Sequence, residues 1–229
     1  MAGKRIGRRS ALVALALPVG GVLGVFVGAD RRARADDDAG ENATLTYRIT
    51  RDGRDLGRQS MIFHTKDGAT EVEIDSHVQV TIAGKQVYEF AQTMREIWRD
   101  RRLIQFHAVT NDNGERHTVE LSPSAGRSLL VADGQQGEVP VDIAPTTLWH
   151  PFMLKRSMLF DTLHGNVRHF KLRDEGDVSV RIGGRDMLAH CFVLTGEIRR
   201  KLWYAPGDQL LRMVLPARDG SEVVFEVMR

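Results

Sequence analysis

From Thr44 to the C-terminus the side chains alternate between apolar and polar with a period of two. That pattern fits a strand with one face buried and the other in water. Leu45, Tyr47 and Ile49 fall on one face, with Thr44, Thr46, Arg48 and Thr50 between them. Val72, Ile74, Val78, Val80 and Ile82 repeat the pattern. Tyr88, Phe90, Met94 and Trp98 do so again, broken by Gln92 and Glu96. Later runs cover 103–110, 127–132, 167–172, 178–182, 187–195, 201–204, 209–215 and 222–228. Glycine-bearing pairs fall where runs end: Asp52-Gly53, Asp67-Gly68, Asn113-Gly114, Asp133-Gly134, Gly183-Gly184, Pro206-Gly207 and Asp219-Gly220. Such pairs supply the positive φ that tight hairpins demand. The expected fold is therefore all-β: an antiparallel meander of about eleven strands. Strands do not alternate with helical patterns, which disfavours a parallel α/β sheet. So many strands in one sheet must curl to hide their edges, so a barrel or half-barrel is expected, with a two-layer sandwich as the alternative.

One segment departs from this rhythm. Thr146-Thr147-Leu148-Trp149-His150-Pro151-Phe152-Met153-Leu154, and then Lys155 to Asp161, carry apolar residues that do not alternate. Thr146 or Thr147 as a cap, with Pro151 in the first turns, predicts a short helical lid near 146–163. Neither flank is low-complexity or charge-rich, so 43–229 reads as a single barrel-like domain.

The N-terminal 35 residues read as an export signal. Lys4, Arg5, Arg8 and Arg9 precede an uncharged stretch from Ala11 to Ala29. Ala33-Arg34-Ala35 forms a small-x-small cleavage site, with Val27-Gly28-Ala29 as a second candidate. Cleavage is expected after Ala35 or Ala29. Arg8-Arg9-Ser10-Ala11-Leu12 resembles the twin-arginine signal, with Ala11 where a bulky apolar residue is usual. The export translocon, reached through Arg8 and Arg9, is thus an expected partner, and the periplasm the expected compartment. An uncleaved inner-membrane anchor is the alternative, weakened by Pro18 and four glycines. Residues 36–42 form a flexible lead-in. Residues 1–35 hold seven of the 32 basic residues and one of the 30 acids, leaving 25 against 29, a net of −4. A mildly acidic domain gives nucleic acid no electrostatic footprint. The single cysteine, Cys191, excludes an intrachain disulfide and sits in an apolar run, as a buried inert thiol would.

Several local motifs share one frame: Trp149 in the lid, Asp161-Thr162 with Gly165 after it, Leu202-Trp203-Tyr204-Ala205-Pro206-Gly207, and Asp219-Gly220-Ser221. Thr46-Tyr47 with Gly57 downstream fits the same frame. On these residues the chain resembles an uncharacterised family of exported bacterial β-proteins, a domain of unknown function. The resemblance implies a fold and a compartment, and no activity. Related families look like the curved half-barrels that carry lipids or lipoproteins across the periplasm, which is an analogy of fold only.

Catalytic constellations are sparse. Eight histidines occur, but no His-x-His. Glu115 shares a face with His117, and Asp161 with His164 on a helical turn, yet neither pair has a third ligand nearby in sequence. No metal or cofactor is expected. Ser122-Pro123-Ser124-Ala125-Gly126 lacks the first glycine of a nucleophile elbow. Asp161 is expected to bind backbone amides at a turn before Gly165. Trp149, Phe152, Met153, Met158, Phe160, Trp203 and Tyr204 are the candidates to line a ligand cavity, since large rings and adaptable Met suit an apolar or lipid-like guest. The leading expectation is a periplasmic binding or carrier protein. The alternatives are an envelope hydrolase using Asp161 and His164, and a structural or interaction protein of the envelope.

Overall fold

The computed structural model describes residues 42–217 and 219–228, which fall within one compact unit. The expected export signal, its expected cleavage positions and the lead-in through Glu41 lie outside the described residues. The domain is all-β. Its strands are β1 (Asn42–Arg51), β2 (Arg54–Lys66), β3 (Ala69–Ile82), β4 (Lys85–Arg99), β5 (Arg102–Asp112), β6 (Glu115–Ser124), β7 (Arg127–Ala132) and β8 (Gln135–Val139). Next come β9 (Ala144–Pro145), β10 (Met158–Phe160), β11 (Val167–Ile182), β12 (Arg185–Gly196), β13 (Arg200–Tyr204), β14 (Leu210–Pro216) and β15 (Glu222–Val227).

These fifteen strands form one sheet in the order β8-β7-β6-β5-β4-β3-β2-β1-β15-β14-β13-β12-β11-β10-β9. Two meanders meet where β1 pairs antiparallel with β15, Tyr47 opposite Val227. Every neighbouring pair is antiparallel except β9 and β10, which run parallel. The count exceeds the eleven expected from alternation. The expected runs 167–172 and 178–182 are one strand, β11, bent at a bulge beside Gly176. The strands β2, β6, β8, β9 and β10 were not expected, because polar residues on the inner face or short length erase their alternation.

The sheet is rolled but not closed into a barrel. Its edge strands β8 and β9 stand at opposite ends of the order, yet residues 140–143 alone link them. At about 4.8 Å per strand a flat sheet would hold those edges roughly 65 Å apart. Four linking residues reach at most about 18 Å. The sheet must therefore curl until its edges come near each other. Ring contacts agree: Phe106 on β5 and Phe160 on β10 stack edge to face at 5.0 Å, although ten positions separate their strands.

Residues 140–166 pack against the concave face and act as a plug. The helical lid expected there is absent. Its one helical piece is a 3₁₀ turn, Pro151–Lys155, capped by His150, whose Nδ1 accepts the Phe152 N–H at 3.1 Å. The cause is local. A residue before proline is pushed out of the helical region, and His150 is extended at φ −139°, ψ 139°. Neither Thr146 nor Thr147 can then cap a continuous helix. Leu148 is fully buried in a left-handed conformation, φ 50°, and its carbonyl accepts the Tyr204 hydroxyl at 2.7 Å.

Two glycines allow close approaches that set this geometry. Gly57 (φ 153°) lies beside the β1–β2 bulge, and a Cβ there would meet the His77 carbonyl oxygen at 1.9 Å. Gly165 (φ 67°) brings the end of the plug onto β7, where a Cβ would lie 2.7 Å from that of Ala132. No helix among the described residues is long and apolar enough to cross a membrane.

Candidate functional site

The inner face divides into three levels, each set by strand register. At one end Met61, Ile74, Met94, Ala108 and Val119 stand side by side across β2 to β6, all buried. Below them the plug fills the roll with aromatics. Trp149 meets Phe63 at 5.2 Å, Trp98 at 5.9 Å and Phe152 at 5.6 Å, all edge to face. At the centre of these rings lies Glu96, fully buried. Its Oε2 accepts the indole N–H of Trp98 at 2.6 Å and that of Trp149 at 2.8 Å. Its Oε1 has no hydrogen-bond partner, and the buried Thr147 hydroxyl has none either. Burial pushes the Glu96 carboxyl up, against the two indoles, which pull it down. This end is solid.

The middle level is a polar belt. Gln59, Ser76, Gln92 and Thr110 are register neighbours across β2 to β5, and all are buried. Ser76 donates to Gln59 Oε1 at 3.0 Å, and Gln92 Nε2 to Thr110 Oγ1 at 2.8 Å and the Thr162 carbonyl at 3.0 Å. The belt exists because the plug lays backbone polar groups against the sheet there, and buried groups of this kind require partners. His117 continues the line, opposite Thr110.

Beyond His117 the belt ends in a cluster. His117 Nδ1 and Asp133 Oδ2 are 2.8 Å apart, and the imidazoles of His117 and His164 meet edge to face at 4.7 Å. One ligand atom from each of His117, Asp133 and His164 falls within 4.8 Å of the other two. Glu115 Oε2 lies 3.9 Å from His117 Nε2. Asp133 Oδ1 accepts the Thr118 N–H at 2.7 Å, and the His117 and Thr118 bonds hold its carboxyl below the usual range. Asp161 secures the loop bearing His164: its oxygens accept the His164 N–H at 2.6 Å and the Asn166 N–H at 3.1 Å.

Above the belt the roll opens. A cavity of about 770 Å³ lies among Arg51, Val80, Tyr88, Asp112, Asn113, Glu115, Leu163, Ala217 and Asp219. Val80 and Tyr88 face each other across β3 and β4. The Tyr88 hydroxyl donates to Asp112 Oδ1 at 2.7 Å. Arg51 pairs with Asp219, and its Nε donates to Ser221 Oγ at 2.6 Å. Hydrogen bonds from Ser221, with Arg51 alongside, lower the Asp219 carboxyl. The mouth thus joins an apolar wall to a charged rim.

The sequence pattern of a domain of unknown function, DUF6134, matches residues 47–228. The chain belongs to the DUF6134 family. No curated protein matches it.

The DUF6134 domain places the seven candidate cavity residues as follows. Trp149, Phe152, Met153 and Phe160 are buried in the plug, and Met158 packs against the same core. Trp203, half-buried, carries Lys201 over its ring at 5.1 Å and Arg212 at 5.9 Å. Tyr204, fully buried, also borders a cavity of about 370 Å³ with Pro151, His190 and Phe192. Asp161 caps a turn, so both of its oxygens serve backbone amides rather than His164's ring. Sequence reasoning found the pairs Glu115/His117 and Asp161/His164 but not Asp133, which reads as a turn residue. Only the strand register brings Asp133 back beside His117.

Proposed function

We propose that this DUF6134 protein is a periplasmic binding protein for an amphipathic, lipid-like ligand held in the open end of the rolled sheet. One observation carries the reading: the cavity of about 770 Å³ at the mouth, within the usual size of small-molecule sites. Val80, Tyr88, Leu163 and Ala217 offer an apolar wall to the body of a guest. Asp112, Glu115 and Asp219 against Arg51 favour a polar head bearing hydrogen-bond donors. The buried aromatic end and the polar belt form a floor beneath the guest. The signal-like residues 1–35 support delivery across the inner membrane. Asp161, with its oxygens on the His164 and Asn166 backbone amides, favours this reading over a hydrolase using Asp161 and His164.

The test uses N-phenyl-1-naphthylamine, a neutral dye that brightens in apolar sites, together with native mass spectrometry of protein purified without detergent. Dye binding, its loss in Val80→Arg with unchanged circular dichroism, and a copurified small molecule support the reading. A bare protein mass together with dye binding that Val80→Arg leaves intact overturns it.

A further inference from the structure

We propose that His117, Asp133 and His164 form a binding site for a divalent transition-metal ion, zinc(II) by preference. The site goes beyond the ligand-binding reading and does not depend on what fills the mouth.

Two imidazoles and a carboxylate are a common donor set for zinc, which takes nitrogen and oxygen ligands at roughly 2.0–2.2 Å in a tetrahedral arrangement. Such bonds place neighbouring ligand atoms about 3.3 Å apart. The three residues already bring one ligand atom each within 4.8 Å of the other two, near that spacing before any ion is bound. The donors come from three separate elements: β6, the β7–β8 turn and the loop after β10. Chance proximity in sequence therefore does not explain their meeting.

Supporting contacts orient the set as ligand sites require. Asp133 Oδ1 is fixed by the Thr118 N–H, which leaves Oδ2 toward His117. The His164 backbone is fixed by the Asp161 carboxylate, and the next residue, Gly165, is seated against Ala132. Glu115 Oε2 lies 3.9 Å from His117 Nε2, on the ring edge away from Asp133, and stands outside the donor set. His164 and Asp133 are exposed, so an ion enters without unfolding.

The experiment titrates the full chain, stripped with a chelator, with zinc chloride alone by isothermal titration calorimetry. The expected result is one ion per chain with a dissociation constant on the order of 1 μM or tighter, corresponding to the affinity scale of a folded site. His117→Gln and His164→Gln should each weaken binding at least about tenfold, the scale of losing a ligand or its orienting partner. His77→Gln, on the outer face, should leave it unchanged. Cobalt(II) added alone should give visible absorption bands that His164→Gln abolishes. Metal-free melting temperatures control for folding, and His164→Gln is the decisive variant because that side chain is exposed. Absence of binding below about 100 μM overturns the proposal. So does one-to-one binding that survives both histidine substitutions.

Discussion

Glu96 makes the stability of this fold depend on pH in the direction opposite to most carboxylates. It is fully buried, burial raises its carboxyl above the ordinary value of 4.5, and Oε1 finds no partner. A raised folded value means that the native state holds a proton which the unfolded chain has released. Stability is then complete below 4.5 and falls as pH rises from there to the folded value. The slope in that window is about 1.4 kcal/mol per pH unit for one proton. Glu96→Gln is isosteric and neutral. Its carbonyl oxygen keeps accepting from Trp98 and Trp149, and its amide faces the same pocket as Thr147. The substitution should remove the slope without opening the core. Urea unfolding at pH 5, 6, 7 and 8 gives the difference between variant and parent, which cancels every other titrating group. That difference should favour the Glu96→Gln variant increasingly, by about 1.4 kcal/mol per unit until the folded value is passed. Glu96→Leu is the counter-test: it strands two indole N–H groups, at about 1–3 kcal/mol each. A difference between the Glu96→Gln variant and parent that stays flat from pH 5 to 8 would refute the reasoning, since Glu96 would then carry no proton that folding retains.

Other consequences are simpler. Tyr204→Phe removes the hydroxyl that holds the Leu148 carbonyl at 2.7 Å and should cost about 1–3 kcal/mol by urea unfolding, with plug amides near Leu148 exchanging faster. Gly57→Ala places a Cβ 1.9 Å from the His77 carbonyl oxygen and should lower stability by about 3 kcal/mol, visible as a fall in melting temperature. Cys191 is buried and burial pushes its thiol up, so a thiol-reactive dye should fail to label the native protein and react fully in concentrated urea.

Period-two alternation was enough to read an all-β sheet, most hairpin turns, and the inner faces of β1 and of β3 as far as Val80; Ile82, beyond the register shift at Val80/Thr81, is exposed. It failed where the inner face is polar. Gln92 and Glu96 interrupt the apolar series of β4, yet both point inward, and Gln59 hides β2 in the same way. A residue's polarity says which face it prefers in water, not whether the interior offers it a partner. Here the interior does: plug backbone for Gln92, two indoles for Glu96. The aromatic and Met residues of 149–160 were legible as a unit that covers the sheet. Their packing was not, because filling a core and lining a cavity call for the same residue types. The cluster of His117, Asp133 and His164 was out of reach for another reason: sequence separations of 16 and 31 residues carry no spacing rule, and only a 15-strand register joins them.

The plug links these observations through topology. The two edges, β8 and β9, are consecutive in the chain, and the segments that follow β9 on the way to β11 lie against the concave face. Residues 146–157 and 161–166, either side of the short strand β10, form those segments, and their side chains and backbone divide the space. Where Trp149, Phe152 and Phe160 enter, the roll becomes a core. Where the backbone of Thr162 turns, the sheet must answer with hydrogen-bonding residues, and the belt from Gln59 to His117 answers it. Above the belt Leu163 is the plug residue that reaches the apolar side chains, and Val80 and Tyr88 are left half-buried at an open mouth. The cavity and the histidine cluster are thus consequences of one decision in the fold, the length of the connection between β8 and β11. A plug shortened so that its turn no longer reached Gln92 would strand the belt, and the two sites would be lost together.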